Sequence, residues 1–149
     1  MAFDALNDLY REVIFDHYVH PRLQGTLYPH DVEEEGFNPL CGDHVTLQLR
    51  FEGDTLRDIG LQGKGCSISQ ASASILSECV IGQKIEAVET KIHFFKDLMQ
   101  GKASIADQDV GDLEALEGVR KFPVRIKCAL LAWTTLESGL AFFKNKRGG

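Results

Sequence analysis

The sequence predicts an α+β fold in which a small antiparallel sheet is packed by helices on one side. Three observations carry that reading. Period-two alternation of apolar residues appears only in the first half of the chain, helical periodicity takes over after Gly65, and strands do not alternate with helices as a parallel sheet would require. At 149 residues the chain is long enough to bury a core without disulfide or metal staples, so any metal it holds must serve something besides folding.

The elements follow in order. From residue 4 to about residue 19, Leu6, Leu9, Tyr10, Val13, Ile14 and Tyr18 recur at helical spacing until Pro21 stops the pattern, which predicts an amphipathic opening helix. A polar stretch with glycine and proline runs from Pro21 to Pro39, with extended structure near Val32. Next, Val45, Leu47, Leu49 and Phe51 alternate with Thr46, Gln48 and Arg50, the signature of a strand with one buried face. Glu52-Gly53-Asp54 supplies a turn and residues 55–61 return, forming a hairpin. Helical patterns then occupy about residues 67–80, 84–99, 112–118 and 124–144, with no repeats or low-complexity segments.

Composition narrows the function. Sixteen Lys and Arg against 22 Asp and Glu give a net charge of −6, and the longest block of like charge is Glu33-Glu34-Glu35, which argues against nucleic-acid and anionic-membrane partners. The opening MAFDALNDLYRE is acidic where a secretory signal would be basic and then apolar, and no uninterrupted apolar run approaches membrane-spanning length. These features predict a cytoplasmic protein. Its four cysteines are then expected as thiols or metal ligands rather than disulfides.

Three of those cysteines stand at element boundaries. Cys41 lies in the turn Asn38-Pro39-Leu40-Cys41-Gly42-Asp43 ahead of the first clear strand, Cys66 follows Gly63-Lys64-Gly65 and opens a Ser- and Ala-rich helix, and Cys128 falls about one turn after Pro123 in the last helix. Proximity to a helix N-terminus favours thiolate over thiol. Together with Asp43, these residues form a donor set that tetrahedral zinc accepts. The spacing contains no Cys-x-x-Cys pair, so it leaves two readings open: one metal shell, or scattered thiols with Asp43 as a capping residue. Zinc with three thiolates and a carboxylate would leave a charge of about −2 that Arg125 or Lys127 would offset. Cys79, among Ile75, Leu76 and Val80, reads as a small buried hydrophobe.

Other patterns are weaker. His17 and His20 share a helix face by their spacing, suiting partner docking better than metal, but Pro21 places them at an exposed helix end. His44 reads as a solvent-facing residue at a strand start. The glycines of Gly60-Leu61-Gln62-Gly63-Lys64-Gly65 match no phosphate-binding fingerprint, and no local signature of a Cys–His hydrolase surrounds any cysteine.

The motifs NPLCGD, GKGCSISQASAS and FPVRIKC, in that order, together with Asp16-His17-Tyr18 and Pro21-Arg22, resemble the SufU branch of the IscU-like family, homologous to the N-terminal domain of NifU. The resemblance implies a single domain over residues 1–149, a three-stranded sheet, and metal ligands at Cys41, Asp43, Cys66 and Cys128. It also implies zinc-dependent sulfur transfer in iron–sulfur cluster assembly, from a PLP-dependent SufS-type cysteine desulfurase toward a downstream Suf cluster scaffold. Cys41 is the expected sulfur acceptor, with Arg125 steadying its charge. The alternative within the family is a scaffold that assembles a transient iron–sulfur cluster on the same ligands. Three departures favour sulfur transfer: Lys127 in place of the scaffold histidine before Cys128, Lys121-Phe122-Pro123-Val124-Arg125 in place of the chaperone signal, and an insertion that includes residues 100–120.

Overall fold

The computed structural model describes residues 5–22, 25–103 and 111–148. In chain order these form helix α1 (Ala5–Val19), strands β1 (Val32–Asn38), β2 (Asp43–Glu52) and β3 (Thr55–Lys64), helices α2 (Ser67–Val80) and α3 (Ile85–Met99), a 3-10 helix (Gly111–Lys121), and helix α4 (Pro123–Gly148). The strands make one antiparallel sheet in the order β1-β2-β3. The predicted class and the β2–β3 hairpin are therefore observed.

The central strand departs from simple alternation. Val45, Leu47 and Leu49 are buried as predicted, but so is Gln48 on the opposite face. Its side chain accepts a hydrogen bond from the Leu27 N–H (2.8 Å) and donates to Glu33 Oε2 (3.0 Å), because the segment before β1 crosses the back of the sheet. β1 was legible only as extended chain near Val32, since three consecutive glutamates mask its pattern. It pairs along β2 from Val32 opposite Leu49 to Asn38 opposite Asp43. Gly36 lets α4 approach this edge strand closely, because a β-carbon there would collide with Thr135 Oγ1.

α4 is the core helix. By length and composition it could cross a membrane. Here Ala129, Trp133, Leu136 and Leu140 are instead fully buried, and the Trp133 ring stacks on Phe95 with centroids 4.3 Å apart. Ser72 of α2 accepts a hydrogen bond from Trp133 Nε1 (2.9 Å) and donates one to the Ala129 carbonyl (2.6 Å). The helix that follows Cys66 is thereby fastened to the helix that carries Cys128.

Two helical readings need correction. In α1 the side chains described begin at residue 11, so Leu6, Leu9 and Tyr10 lie outside the described residues. Val13 and Ile14 are half-buried, Tyr18 is exposed, and the fully buried position is His17, four residues after Val13 and three after Ile14 on the same stripe. The element predicted at 112–118 is a 3-10 helix. Leu113, Leu116 and Val119 are all buried and recur every three residues, which suits three residues per turn better than 3.6. Of the insertion read at residues 100–120, residues 104–110 lie outside the described residues.

Replacing Ser72 with Ala removes both links between α2 and α4 and leaves the buried indole N–H without a partner. The expected cost is about 1–3 kcal/mol, measured as a lower urea midpoint with an unchanged m-value.

Candidate metal centre

Cys41, Asp43, Cys66 and Cys128 converge at one end of the sheet. Donor atoms of Cys41, Asp43 and Cys128 all lie within 4.8 Å of one another, and Cys66 joins through Asp43, with its Sγ 3.9 Å from Asp43 Oδ2.

The first part of the site is the β1–β2 turn. Asn38 ends β1, its Oδ1 accepts the Leu40 N–H (3.3 Å), and its carbonyl accepts the Cys41 N–H (3.3 Å), so an asparagine side chain and a backbone turn shape the loop together. Gly42 then takes a positive φ of 68° and turns the chain into β2. The buried Asn38 amide reaches inward, 3.3 Å from Asp43 Oδ2 and 3.6 Å from Cys128 Sγ. Cys41 is left half-exposed on this turn, 3.1 Å from Cys128 Sγ, far beyond a disulfide bond of about 2.05 Å.

The second part is the N-terminus of α2. Cys66 is its N-cap residue, and the sulfur accepts the Ser69 N–H (3.4 Å) where a serine or aspartate oxygen would ordinarily do so. The Cys66 N–H in turn donates to Asp43 Oδ1 (2.8 Å). Gly65 precedes it at φ 152°, and a β-carbon there would collide with Asp43 Oδ1. A glycine is thus required for the β3–α2 link to pass over the carboxylate.

Asp43 is fully buried. Burial alone would raise its pKa, yet hydrogen bonds from the Cys66 N–H, Cys128, Ser69 and Asn38 together outweigh it and hold the carboxyl below its usual range. Cys128 shows the opposite balance. Burial pushes its thiol far upward, reinforced by hydrogen bonds with Cys41, Asp43 and Cys66. It is the sixth residue of α4 and fully buried, so the thiolate-favouring helix-end effect expected for it is overridden. Ionising this sulfur would therefore require a cation close to it. Arg125, beside the opening with Cys41 and Cys66, is held charged more firmly by the Cys66 sulfur and by Cys128. Lys127 is exposed and does not line that opening, so of these two cations Arg125 is the one beside it.

The donor set fits zinc. Separations of 3.1–3.9 Å bracket those of a tetrahedral shell with bonds of about 2.0–2.3 Å, and thiolate-rich sets select zinc or iron–sulfur clusters over magnesium or calcium. Comparison with known proteins agrees. The family model for the NifU-like N-terminal domain matches residues 9–148. The chain belongs to that family.

Relatives within it divide by name. A zinc-dependent sulfurtransferase SufU of Bacillus subtilis (strain 168) is 47% identical over 142 residues, covering 95% of this chain and 96% of the relative. An iron–sulfur cluster assembly scaffold protein IscU of Streptococcus pyogenes serotype M1 is 39% identical over 140 residues, covering 94% and 87%. The solved structure of a candidate iron–sulfur cluster assembly scaffold for the SUF system from Fervidobacterium islandicum AW-1 superposes with a TM-score of 0.80 at 38% identity, covering 87% of this chain and 94% of that one. The NifU-like fold predicted from the motifs is thus observed.

Against the remaining expectations, Cys79 is half-buried rather than fully enclosed, and burial pushes its thiol up to about 11. His44 stands partly exposed beside Glu35 and Phe37. His17 and His20 do not form an exposed pair, since His17 is fully buried and only His20 is exposed. Asn38 and Ser69 also shape the site, Asn38 through its contacts with Asp43 and Cys128 and Ser69 through its N–H to the Cys66 sulfur. The Asn-Pro opening of the first motif was the available signal for Asn38.

Gly65→Ala should displace Asp43 and weaken zinc retention by about tenfold or more, as loss of a ligand's supporting contacts commonly does, read as metal per chain after dialysis against a competing chelator. At pH 8, Cys79 should be alkylated by iodoacetamide about two orders of magnitude more slowly than an unperturbed thiol, measured by peptide mass spectrometry on the folded protein.

Proposed function

We propose that this protein is a zinc-dependent sulfurtransferase of iron–sulfur cluster assembly. It takes sulfur from the persulfide of a PLP-dependent cysteine desulfurase of the SufS type and passes it to a downstream Suf cluster scaffold. The observation that carries the reading is the unequal placement of the three sulfurs. Cys128 is buried in α4 and Cys66 caps α2, whereas Cys41 sits half-exposed on a glycine-containing turn at the mouth of the site. The 47% identity to a protein named as a zinc-dependent sulfurtransferase supports it.

Cys41, Asp43, Cys66 and Cys128 would hold the zinc, which supplies positive charge that keeps the sulfurs deprotonated near neutral pH. In the transfer, the Cys41 thiolate attacks the outer sulfur of the donor persulfide. A new Cys41–sulfur bond forms as the donor sulfur–sulfur bond breaks, the donor cysteine leaves as a thiolate, and the outer sulfur keeps its proton as it moves onto Cys41. The exchange needs no external oxidant or reductant. Arg125 steadies the negative charge of the entering sulfur. Asp43 stays fixed through Asn38 and the Cys66 N–H, so the turn bearing Cys41 moves while the rest of the site holds. Exposed Leu40, Phe122 and Val124 flank this mouth and offer an apolar rim on which the donor enzyme docks. Four cysteines without a disulfide suit a cytoplasmic setting.

A second reading, a scaffold for a transient cluster, draws on the relatives named IscU. Anaerobic incubation with iron and sulfide separates the two: the sulfurtransferase keeps about one zinc and stays colourless, whereas a scaffold turns brown. Cys41→Ala is expected to lower desulfurase stimulation and persulfide acceptance by about a hundredfold or more, followed as sulfide release and by mass spectrometry of the trapped persulfide. Full sulfur acceptance by that variant overturns the assignment of Cys41.

A further inference from the structure

A second group of potential ligands lies apart from the thiols. His17 of α1, Glu78 of α2 and Asp112 of the 3-10 helix bring one donor atom each to within 4.8 Å of the others. The imidazole is fully buried, whereas both carboxylates are about half-exposed, so the group is closed from below and open to solvent above. His17 Nε2 stands 2.8 Å from Asp112 Oδ2 and 3.4 Å from Glu78 Oε1.

The ring is held by more than these carboxylates. His17 Nδ1 lies 2.8 Å from Ser74 Oγ, and the same hydroxyl accepts the Arg22 N–H at 2.9 Å. An imidazole with one nitrogen fixed by a buried hydroxyl presents the other in a set direction, which is how outer partners orient metal-binding histidines. Charge points the same way. Glu78, Asp112 and Asp16 are opposed within this surface by Arg22, which pairs with Asp16 and stands 3.6 Å from Glu78 Oε2. Among the described side chains paired here, Asp16, Glu78 and Asp112 face the single guanidinium of Arg22, and Glu78 Oε1, the oxygen nearer His17, is not the one facing it.

We propose that His17, Glu78 and Asp112 form a second metal site, for a divalent first-row transition ion such as zinc, distinct from the thiol site. One nitrogen and two carboxylate oxygens suit such an ion and exclude the soft, cluster-type chemistry of the cysteines. The ligands come from three elements, one of them the 3-10 helix that runs directly into Phe122 and α4. Occupancy would therefore clamp the inserted segment onto α1 and α2. The site goes beyond the sulfur-transfer reading and does not depend on it.

The test is equilibrium dialysis of the full chain against buffered free zinc in the micromolar range, with total metal read by mass spectrometry. The wild type is expected to hold about two zinc ions, and Asp112→Asn and Glu78→Gln about one, with the second affinity weakened about tenfold or more. Both substitutions fall on half-exposed side chains, and circular dichroism checks that the fold is kept. A Cys128→Ser variant that loses the tight zinc but keeps the weaker one would show that the two sites are independent. Saturation of the wild type at one zinc, or a second zinc retained by both carboxylate variants, overturns the proposal.

Discussion

The buried Asp43 carboxylate is the constraint on which the rest of the structure depends. A charge removed from water must be matched by donors, and here the donors come from every part of the chain that carries a site sulfur. The Cys66 N–H brings in the start of α2, Asn38 ties the β1–β2 turn, and Cys128 brings in α4. One carboxylate thereby sets the relative position of three segments far apart in sequence. Gly65 is the companion condition, since any larger residue would push the β3–α2 link off the carboxylate.

Around that hub the fold divides stiff parts from a loose one. Ser72 and Trp133 fasten α2 to α4, and the Trp133–Phe95 stack extends the contact into α3, so Cys66 and Cys128 sit on mutually packed helices. Cys41 does not. It rides on a short turn between β1 and β2, braced by Asn38 and eased by Gly42. The proposed sulfur transfer would use this division, because an acceptor at Cys41 would have to reach a partner while the remaining donors stay put.

The electrostatics of the site follow from the same burial. The Cys128 thiol resists ionisation where it sits, Asp43 does not, and Arg125 supplies a fixed positive charge at the opening. Burial thus favours the protonated form of the site's deepest sulfur, and an ion bound by that sulfur would have to displace the proton, which would couple binding to proton release.

Much of this was readable in the linear chain. Alternation in Val45–Phe51, the glycines before Cys66, Pro123 ahead of the last helix and the three cysteine motifs determined the class, the hairpin, the helix starts and the candidate donors, because each depends on local periodicity or on conformations only certain residues adopt. Tertiary structure alone decided what lies between distant segments. It buried Gln48 by laying residues 25–31 across the sheet, turned a presumed exposed His17 inward onto Ser74 and Asp112, and placed Arg125 rather than Lys127 at the opening beside Cys41 and Cys66. Each of these outcomes depends on a neighbour more than 20 residues away or on the direction a side chain takes around its helix in the packed molecule, and no local pattern encodes either.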